Sequence, residues 1–240
     1  MQNIAIENAF LLDIETVSSS QHYHSLSEEW KDLWDEKIKK ALPENITAEE
    51  FYPLRAAVMA EFAKVVCISF GYFRTENNVL QLRIKSFYSD NEKDILENFI
   101  KTLYQLHAIN NKWCFTGHNI KEFDIPFLCR RILVNNLTIP PFMDFQNMKP
   151  WDTPVTDTLH LWRFGDYKHY TSLKLLAATL GVPSPKDDID GSMVGEVYWE
   201  EKNLERIAIY CQKDVATVAN VLLRFKNLPL LSDEQIVFVS

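Results

Sequence analysis

Short runs of apolar residues predict the strands of a sheet. Residues 9–14 and 64–73 are apolar and rich in β-branched and aromatic side chains, which is typical of buried strands. Residues 79–87 alternate apolar and polar positions, as a strand with one exposed face does. The linking sequence Thr-Glu-Asn-Asn at 75–78 favours a hairpin turn, and residues 113–116 predict another buried strand.

Apolar positions three and four residues apart predict helices between and after these strands. Helical spacing covers residues 95–106 and 127–134. A further helix is expected from residue 172 to 180, with Gly181 in a suitable position to end it. A long helix is expected from about residue 204 to 225. Strands that alternate with helices indicate an α/β fold with a mixed central sheet.

Residues 18–63 interrupt this alternation between the first two strands. Trp30, Leu33, Trp34 and Ile38 have helical spacing, and the sequence from Thr47 is typical of a capping box. We interpret this segment as a helical insertion. It is either a packed subdomain or a lid that guides the substrate. The lid interpretation depends on its position, because the segment leaves the sheet directly after the first strand.

Composition and charge narrow the protein class. The chain has 240 residues, of which 47% are hydrophobic, enough for one large domain spanning residues 1–240. No apolar run is long enough to span a bilayer, and the first residues lack the features of a secretory signal, so a cytoplasmic location without membrane contact is expected. The net charge of −8 disfavours sequence-blind binding of long duplexes. The four cysteines are far apart and are expected to be buried, reduced thiols without a chemical role.

Three acidic segments carry the candidate chemistry. Asp13 and Glu15 are two residues apart at the end of a strand, so both side chains point to one face. Asp124 closes the sequence Gly-His-Asn-Ile-Lys-Glu-Phe-Asp, which follows a strand and opens a helix, and it also fits the N-cap of that helix. Tyr210 and Asp214 share one face of the long helix, although a core tyrosine beside a solvated acid fits that spacing too.

In this order, the three segments resemble the motifs of the DEDD superfamily of 3′–5′ exonucleases. The resemblance is closest to the bacterial family of predicted exonucleases related to the proofreading domain of family B DNA polymerases. Further fitting segments are residues 61–69, 172–177 and 188–191. The superfamily has two branches, which carry either a histidine or a tyrosine shortly before the last aspartate. Here Tyr210 lies four residues before Asp214, and Ile209 occupies the position of the histidine, so the chain is similar to the tyrosine branch.

The resemblance implies a ribonuclease H-like fold of about five strands and a metal-dependent 3′–5′ exonuclease. It implies two divalent cations, Mg²⁺ or Mn²⁺, held by Asp13, Glu15, Asp124 and Asp214. Tyr210 would be a catalytic residue that positions water and phosphate, because an ordinary tyrosine pKa near 10 is too high for a general base.

Substrate contacts are expected from five residues near these motifs. Asn119 and Phe123 are candidates for the terminal nucleotide, and Lys168, Lys174 and Lys186 for backbone phosphates. Phe123 fits a core position equally well, and each lysine fits an ordinary surface position. His118 and Asp190 are interpreted as turn residues, and Asp157 as a residue of a strand end.

Other functions remain open at the level of sequence. A nucleic-acid-binding or scaffold domain would keep the same fold without catalysis, although none of the four carboxylates is substituted. A phosphatase or another ribonuclease H-like hydrolase is disfavoured by the Tyr-x-x-x-Asp motif. Ancestry shared with polymerases favours single-stranded DNA with a 3′ end over RNA, and replication or repair proteins are compatible partners.

Overall fold

The computed structural model describes residues 5–149, 152–183 and 189–239 of the chain. Within these ranges it contains a six-stranded mixed sheet covered by helices. The strands are β1 (Ala9–Ser18), β2 (Ala63–Glu76), β3 (Val79–Tyr88), β4 (Cys114–Gly117), β5 (Val155–Asp157) and β6 (Ile236–Phe238). The sequence predicts about five strands, and β6 adds a sixth at one edge.

The strand order is β5-β4-β1-β2-β3-β6, with β2 antiparallel to both of its neighbours. The other pairs are parallel. A two-residue turn joins β2 to β3, and its residues Asn77 and Asn78 both have positive φ, the conformation of a tight hairpin turn. The predicted hairpin is therefore confirmed.

Eight α-helices lie within the described ranges. They are α1 (Glu28–Ile38), α2 (Ala48–Arg55), α3 (Glu92–Ile109), α4 (Asp124–Val134), α5 (Thr158–Arg163), α6 (Leu173–Leu180), α7 (Val194–Trp199) and α8 (Leu204–Phe225). The bounds of α8 agree with the prediction. The side chain of Asn203 caps its first turn by accepting a hydrogen bond from the backbone of Arg206. Gly181 ends α6 in the left-handed conformation, as expected.

Short 3₁₀ helices complete the described secondary structure. They cover Ile6–Asn8, Tyr23–Ser25, Ala56–Val58, Pro141–Met143 and Asp233–Gln235. In the part of the chain that the structure describes, none of the helices combines the length and apolarity that crossing a bilayer requires.

The two faces of the sheet pack against different helices because side chains alternate along each strand. On one face, Phe10 and Leu12 of β1 belong to a core that includes Phe99 of α3 and Leu128 of α4. On the other face, Leu11 packs with residues of α8. The long helix α8 therefore lies against the β1 face that carries odd-numbered residues.

The segment between β1 and β2 has a small core of its own. The ring of Trp34 contacts the rings of Tyr52 and Phe62 there, and Trp34 and Tyr52 are fully buried. The predicted capping box is present, since Thr47 and Glu50 exchange side-chain and backbone hydrogen bonds. This packing favours the subdomain interpretation of residues 18–63, and their role as a lid stays a prediction.

Candidate active site

Strand β1 places Asp13 and Glu15 on the face that packs against α8. Both continue the odd-numbered series that begins with buried Leu11. The antiparallel register with β2 shifts between Glu15 and Thr16, so a bulge interrupts the pairing directly after the two acids. Glu15 is buried and Asp13 is partly exposed.

A tight turn after β4 brings Asp124 to the same place. A Cβ atom on Gly117 would lie 2.9 Å from the carbonyl oxygen of Leu12, so this close approach of β4 to β1 requires glycine. Helix α4 begins at Asp124, and its N-cap is Phe123, so the N-cap interpretation of Asp124 is wrong. Instead, Asp124 Oδ1 accepts a hydrogen bond of 3.2 Å from the backbone N–H of Ile14, between the two acids of β1.

Helix α8 contributes Tyr210, Cys211 and Asp214. Tyr210 and Asp214 are one turn apart, and the tyrosine hydroxyl donates a hydrogen bond to the carboxylate. The thiol of Cys211 donates to Asp13 Oδ2 at 3.2 Å. Side-chain ligand atoms of Asp13, Glu15 and Cys211 lie within 4.8 Å of one another. Ile209 is 46% exposed, whereas Tyr210 lines the cleft beside the carboxylates.

Burial and mutual repulsion perturb the protonation of this cluster. The pKa of Asp13 is raised well above its usual value by burial and then by the charges of Asp214 and Asp124. The pKa of Glu15 is raised well above its usual value by burial and by Asp13. Burial is also the main cause that raises the pKa of Asp124 to about 7. Without a cation, these groups therefore hold protons at pH values where an ordinary carboxyl group is ionised.

The hydroxyl of Tyr210 and the thiol of Cys211 on α8 are protonated near neutral pH. Burial, followed by the charge of Asp214, raises the pKa of Tyr210. Burial, followed by a hydrogen bond with Cys67, raises the pKa of Cys211 well above its usual value. Both side chains are thus hydrogen-bond donors toward the carboxylates.

Asp157 fixes the loop that leads to Asp124. It is 2% exposed and ends β5, as the sequence predicts for a residue of a strand end. Its carboxylate accepts hydrogen bonds from four backbone N–H groups, those of Asn119, Lys121, Leu159 and His160. A carboxylate with four such partners can stay buried and charged, so Asp157 is a structural anchor of the site.

His118 links the same loop to the segment before α6. Its Nε2 atom contacts the carbonyl oxygen of Thr171 at 2.8 Å, and Nδ1 contacts Thr158 Oγ1 at 3.0 Å. Burial lowers the pKa of His118. The contact with Thr171 requires Nε2–H as the donor, because a carbonyl oxygen only accepts hydrogen bonds. His118 therefore does more than occupy a turn.

The predicted substrate-binding residues are only partly brought together. Lys174 is exposed and lines the cleft with Asp13. Lys168 is exposed in the segment before α6. Phe123 is partly buried, and its ring packs 5.3 Å from that of Phe127, which supports the core interpretation. Lys186 lies outside the described residues. Asn119 has a φ of 60°, and its Oδ1 atom is buried without a hydrogen-bond partner among the described groups.

The site opens to solvent through a cleft of about 340 Å³. Its lining includes Asp13, Tyr210 and Asp214 on one side, and Tyr170, Lys174 and Asp190 on the other. An apolar groove of about 610 Å³ along α4 contains none of the clustered carboxylates. The small polar cleft, and not the larger groove, is therefore where the acidic cluster meets solvent.

Two residues of this region were not expected from the sequence. Cys211 was assigned no chemical role, yet it contacts Asp13. Its only sequence signal is its position three residues before Asp214 on a helix. Tyr170 was not predicted to have a role either. Its sequence signal is an aromatic residue two positions before the predicted helix start at Ser172.

Comparisons with known proteins agree with this geometry. Residues 57–234 match the model of a family described as predicted 3′–5′ exonucleases related to the exonuclease domain of PolB. The match includes Asp124, Tyr210 and Asp214, and the fold adds Asp13 and Glu15 beside them. A comparison with curated protein sequences gives no match.

Among solved structures, the family B DNA polymerase of the hyperthermophilic archaeon Pyrobaculum calidifontis is similar to this chain. The TM-score is 0.50 at 16% sequence identity, over 90% of this chain and 24% of the polymerase. This chain thus spans about a quarter of the polymerase's length. The similarity, together with the mixed sheet, confirms the predicted α/β, ribonuclease H-like fold.

Proposed function

Because the chain belongs to the family of predicted 3′–5′ exonucleases related to the exonuclease domain of PolB, we propose that it is a metal-dependent 3′–5′ exonuclease. The observation that carries this proposal is the convergence of four carboxylates from three elements. Asp13 and Glu15 of β1, Asp124 of α4 and Asp214 of α8 influence one another electrostatically. Asp13 and Asp214 of this cluster line the cleft.

The cluster suits divalent cations. Carboxylates whose pKa values are raised by burial and by each other gain stability when a cation neutralises them. Hard oxygen ligands favour Mg²⁺ or Mn²⁺. We assign Asp13, Glu15, Asp124 and Asp214 as the residues that hold two such ions. When bound, the ions supply an activated water and stabilise the leaving 3′ oxygen.

The protein side chains contribute orientation and hydrogen bonding. Tyr210 stays protonated and does not accept a proton. Its hydroxyl donates to Asp214 without metal, and once cations hold that carboxylate it donates instead to water or the scissile phosphate. Cys211 holds one oxygen of Asp13 and leaves its other oxygen available. Asp157 and Gly117 keep Asp124 in place.

We propose single-stranded DNA with a free 3′ end as the substrate. The polymerase ancestry of the family favours DNA, and the exposed cation Lys174 lines the cleft. Asn119 is assigned to the terminal nucleotide, and Lys168, Lys174 and Lys186 to backbone phosphates. Residues 1–240 would act as one exonuclease domain in which residues 18–63 form an insertion. Replication or repair proteins are the partners that suit this activity.

The test is degradation of a 5′-labelled single-stranded DNA oligonucleotide and of its RNA counterpart, with Mg²⁺, Mn²⁺ or EDTA. We expect a ladder of products shortened from the 3′ end that requires metal and that Asp13→Asn and Asp214→Asn abolish. Glu205→Gln, which changes an exposed acid on the same helix as Asp214, is the matched control and should leave the ladder intact. Wild-type protein that binds the oligonucleotide without shortening it would favour a binding or scaffold role.

A further inference from the structure

We propose that Phe164, Tyr167 and Tyr170 form a stacking platform on which the bases of a single-stranded nucleic acid lie as its 3′ end enters the cleft. The proposal rests on the exonuclease function for the identity of the strand, and the platform is defined by these three residues. They occur within seven residues in the irregular segment between α5 and α6.

All three rings are exposed although they are large and apolar. Phe164 is 81% exposed, Tyr167 68% and Tyr170 63%. Isolated exposed apolar residues are common, but three exposed aromatic residues within seven positions are a concentration that favours a binding surface. Aromatic rings stack on any base, because every base has a π face.

The backbone at Phe164 supports a role outside folding. Phe164 has a φ of 45° and ends α5 in the left-handed conformation, where glycine is the usual residue. A bulky side chain in this conformation costs about 1 kcal/mol or more. Since the ring is 81% exposed, burial does not offset this cost. Neither helix termination nor core packing therefore accounts for phenylalanine at this position.

Two neighbouring side chains hold the ring of Tyr167 in place. The guanidinium carbon of Arg163 lies 5.5 Å from its ring centroid, and the ring of His160 meets it edge-on at 6.2 Å. Both of these neighbours contact Glu122, at 3.1 Å and 3.0 Å. A ring fixed in this way loses little conformational entropy when a base stacks on its free face.

Tyr170 connects the platform to the carboxylates. It lines the same cleft as Asp13 and Asp214, and its ring lies 6.4 Å from that of His118. A strand stacked along the three rings would thus lead to the reacting carboxylates.

The local charge also suits a polyanion. The protein carries a net charge of −8, but the segment from residue 160 to 174 has Arg163, Lys168 and Lys174 against a single acid of its own, Asp166. Glu122, outside the segment, pairs with Arg163, so Lys168 and Lys174 are the exposed cations beside the rings. His160 and His169 are in the same segment. Cations interleaved with aromatic rings are the combination that sequence-tolerant binding of single strands uses.

The experiment measures binding of fluorescently labelled oligothymidylate by anisotropy in EDTA, where hydrolysis does not take place. Tyr167→Ala should weaken binding about tenfold or more, and the triple alanine variant of the platform further. Tyr104→Ala is the matched control, because Tyr104 is 46% exposed on α3 outside the cleft. It should bind like the wild type. Melting temperatures of all variants verify that they are folded.

A second ligand separates stacking from charge. An abasic oligonucleotide of the same length has the same phosphates but no bases, so wild type and platform variants should bind it with equal, weak affinity. Equal affinity of wild type and Tyr167→Ala for oligothymidylate would overturn the platform. The platform would also be overturned if Tyr167→Ala lost as much affinity for the abasic strand as for oligothymidylate. These binding measurements need no turnover. If the nuclease assay showed no degradation while binding still depended on the aromatic residues, only the proposed function would be rejected.

Discussion

Replacing Asp124 by asparagine should stabilise the metal-free protein. The carboxylate is 4% exposed, and burial raises its pKa to about 7 from an ordinary value of 3.8. Its folded-state pKa is above its unfolded-state pKa, so the folded protein binds the proton more tightly. The free energy of unfolding is therefore highest below about pH 4 and decreases as the pH rises to about 7. Asparagine keeps the shape and the acceptor for Ile14 but carries no charge.

The size of the effect follows from the pKa. At about 1.4 kcal/mol for each factor of ten in acidity, the change from 3.8 to about 7 corresponds to about 4 kcal/mol above pH 7. Part of this gain is offset because the new amide N–H group needs an acceptor. We expect a net gain of about 2 kcal/mol at pH 8, or about 4–8 °C in melting temperature for a chain of this size.

The assay is thermal unfolding followed by circular dichroism in EDTA at about pH 5 and pH 8, then with Mn²⁺. Asp124→Asn should melt above the wild type at pH 8, and the difference should shrink at pH 5. Mn²⁺ should raise the wild-type melting temperature, because it binds only the folded state, and should raise that of the variant less.

Asp157→Asn is the matched control for the same substitution. Asp157 is as deeply buried as Asp124, but its carboxylate accepts four backbone N–H groups. Removing its charge weakens these hydrogen bonds, so this variant should lose about 1.5–3 kcal/mol. The reasoning would be refuted if Asp124→Asn melted below the wild type in EDTA at pH 8 while its circular dichroism spectrum was native.

Three further substitutions probe individual contacts. Tyr210→Phe should lower kcat about 10- to 100-fold and leave the Mn²⁺ affinity unchanged in a calorimetric titration. The substitution removes a hydrogen-bond donor but no metal ligand. A matching loss of Mn²⁺ affinity would instead make Tyr210 part of the metal site. Cys211→Ala should raise the Mn²⁺ concentration for half-maximal activity several-fold, because the thiol no longer holds Asp13. An unchanged Mn²⁺ requirement would show that this hydrogen bond is not needed. Gly117→Ala should reduce the free energy of unfolding by about 1–3 kcal/mol in urea, since its Cβ would meet Leu12, and a stability equal to wild type would contradict the close approach.

The sequence was most informative where local signals agreed. Helix α8 has sustained apolar periodicity, and the β2–β3 hairpin combines a buried strand and an alternating strand with two asparagines between them, so both could be predicted. Asp13 and Glu15 were found because a two-residue spacing on a strand fixes their common face. Each of these features depends on neighbours in the sequence.

Contacts between distant segments could not be predicted in the same way. The contact of Cys211 with Asp13 depends on how α8 crosses β1, which no local pattern encodes. The short strand β6 pairs with β3 over a long sequence separation, and three residues are too few for a periodic signal. The exposure of Phe164 depends on the left-handed end of α5, a position where phenylalanine is unusual.

The hydrogen bond between Ile14 and Asp124 makes one amide proton a reporter of the whole site. Strand β4 pairs with β1 only as far as Leu11, so the N–H of Ile14 has a side chain from α4 as its acceptor, in place of a neighbouring strand. Its exchange with deuterium therefore measures how often α4 separates from β1. Followed by NMR, this single amide would register local opening at the carboxylates separately from global unfolding, in the absence of any substrate.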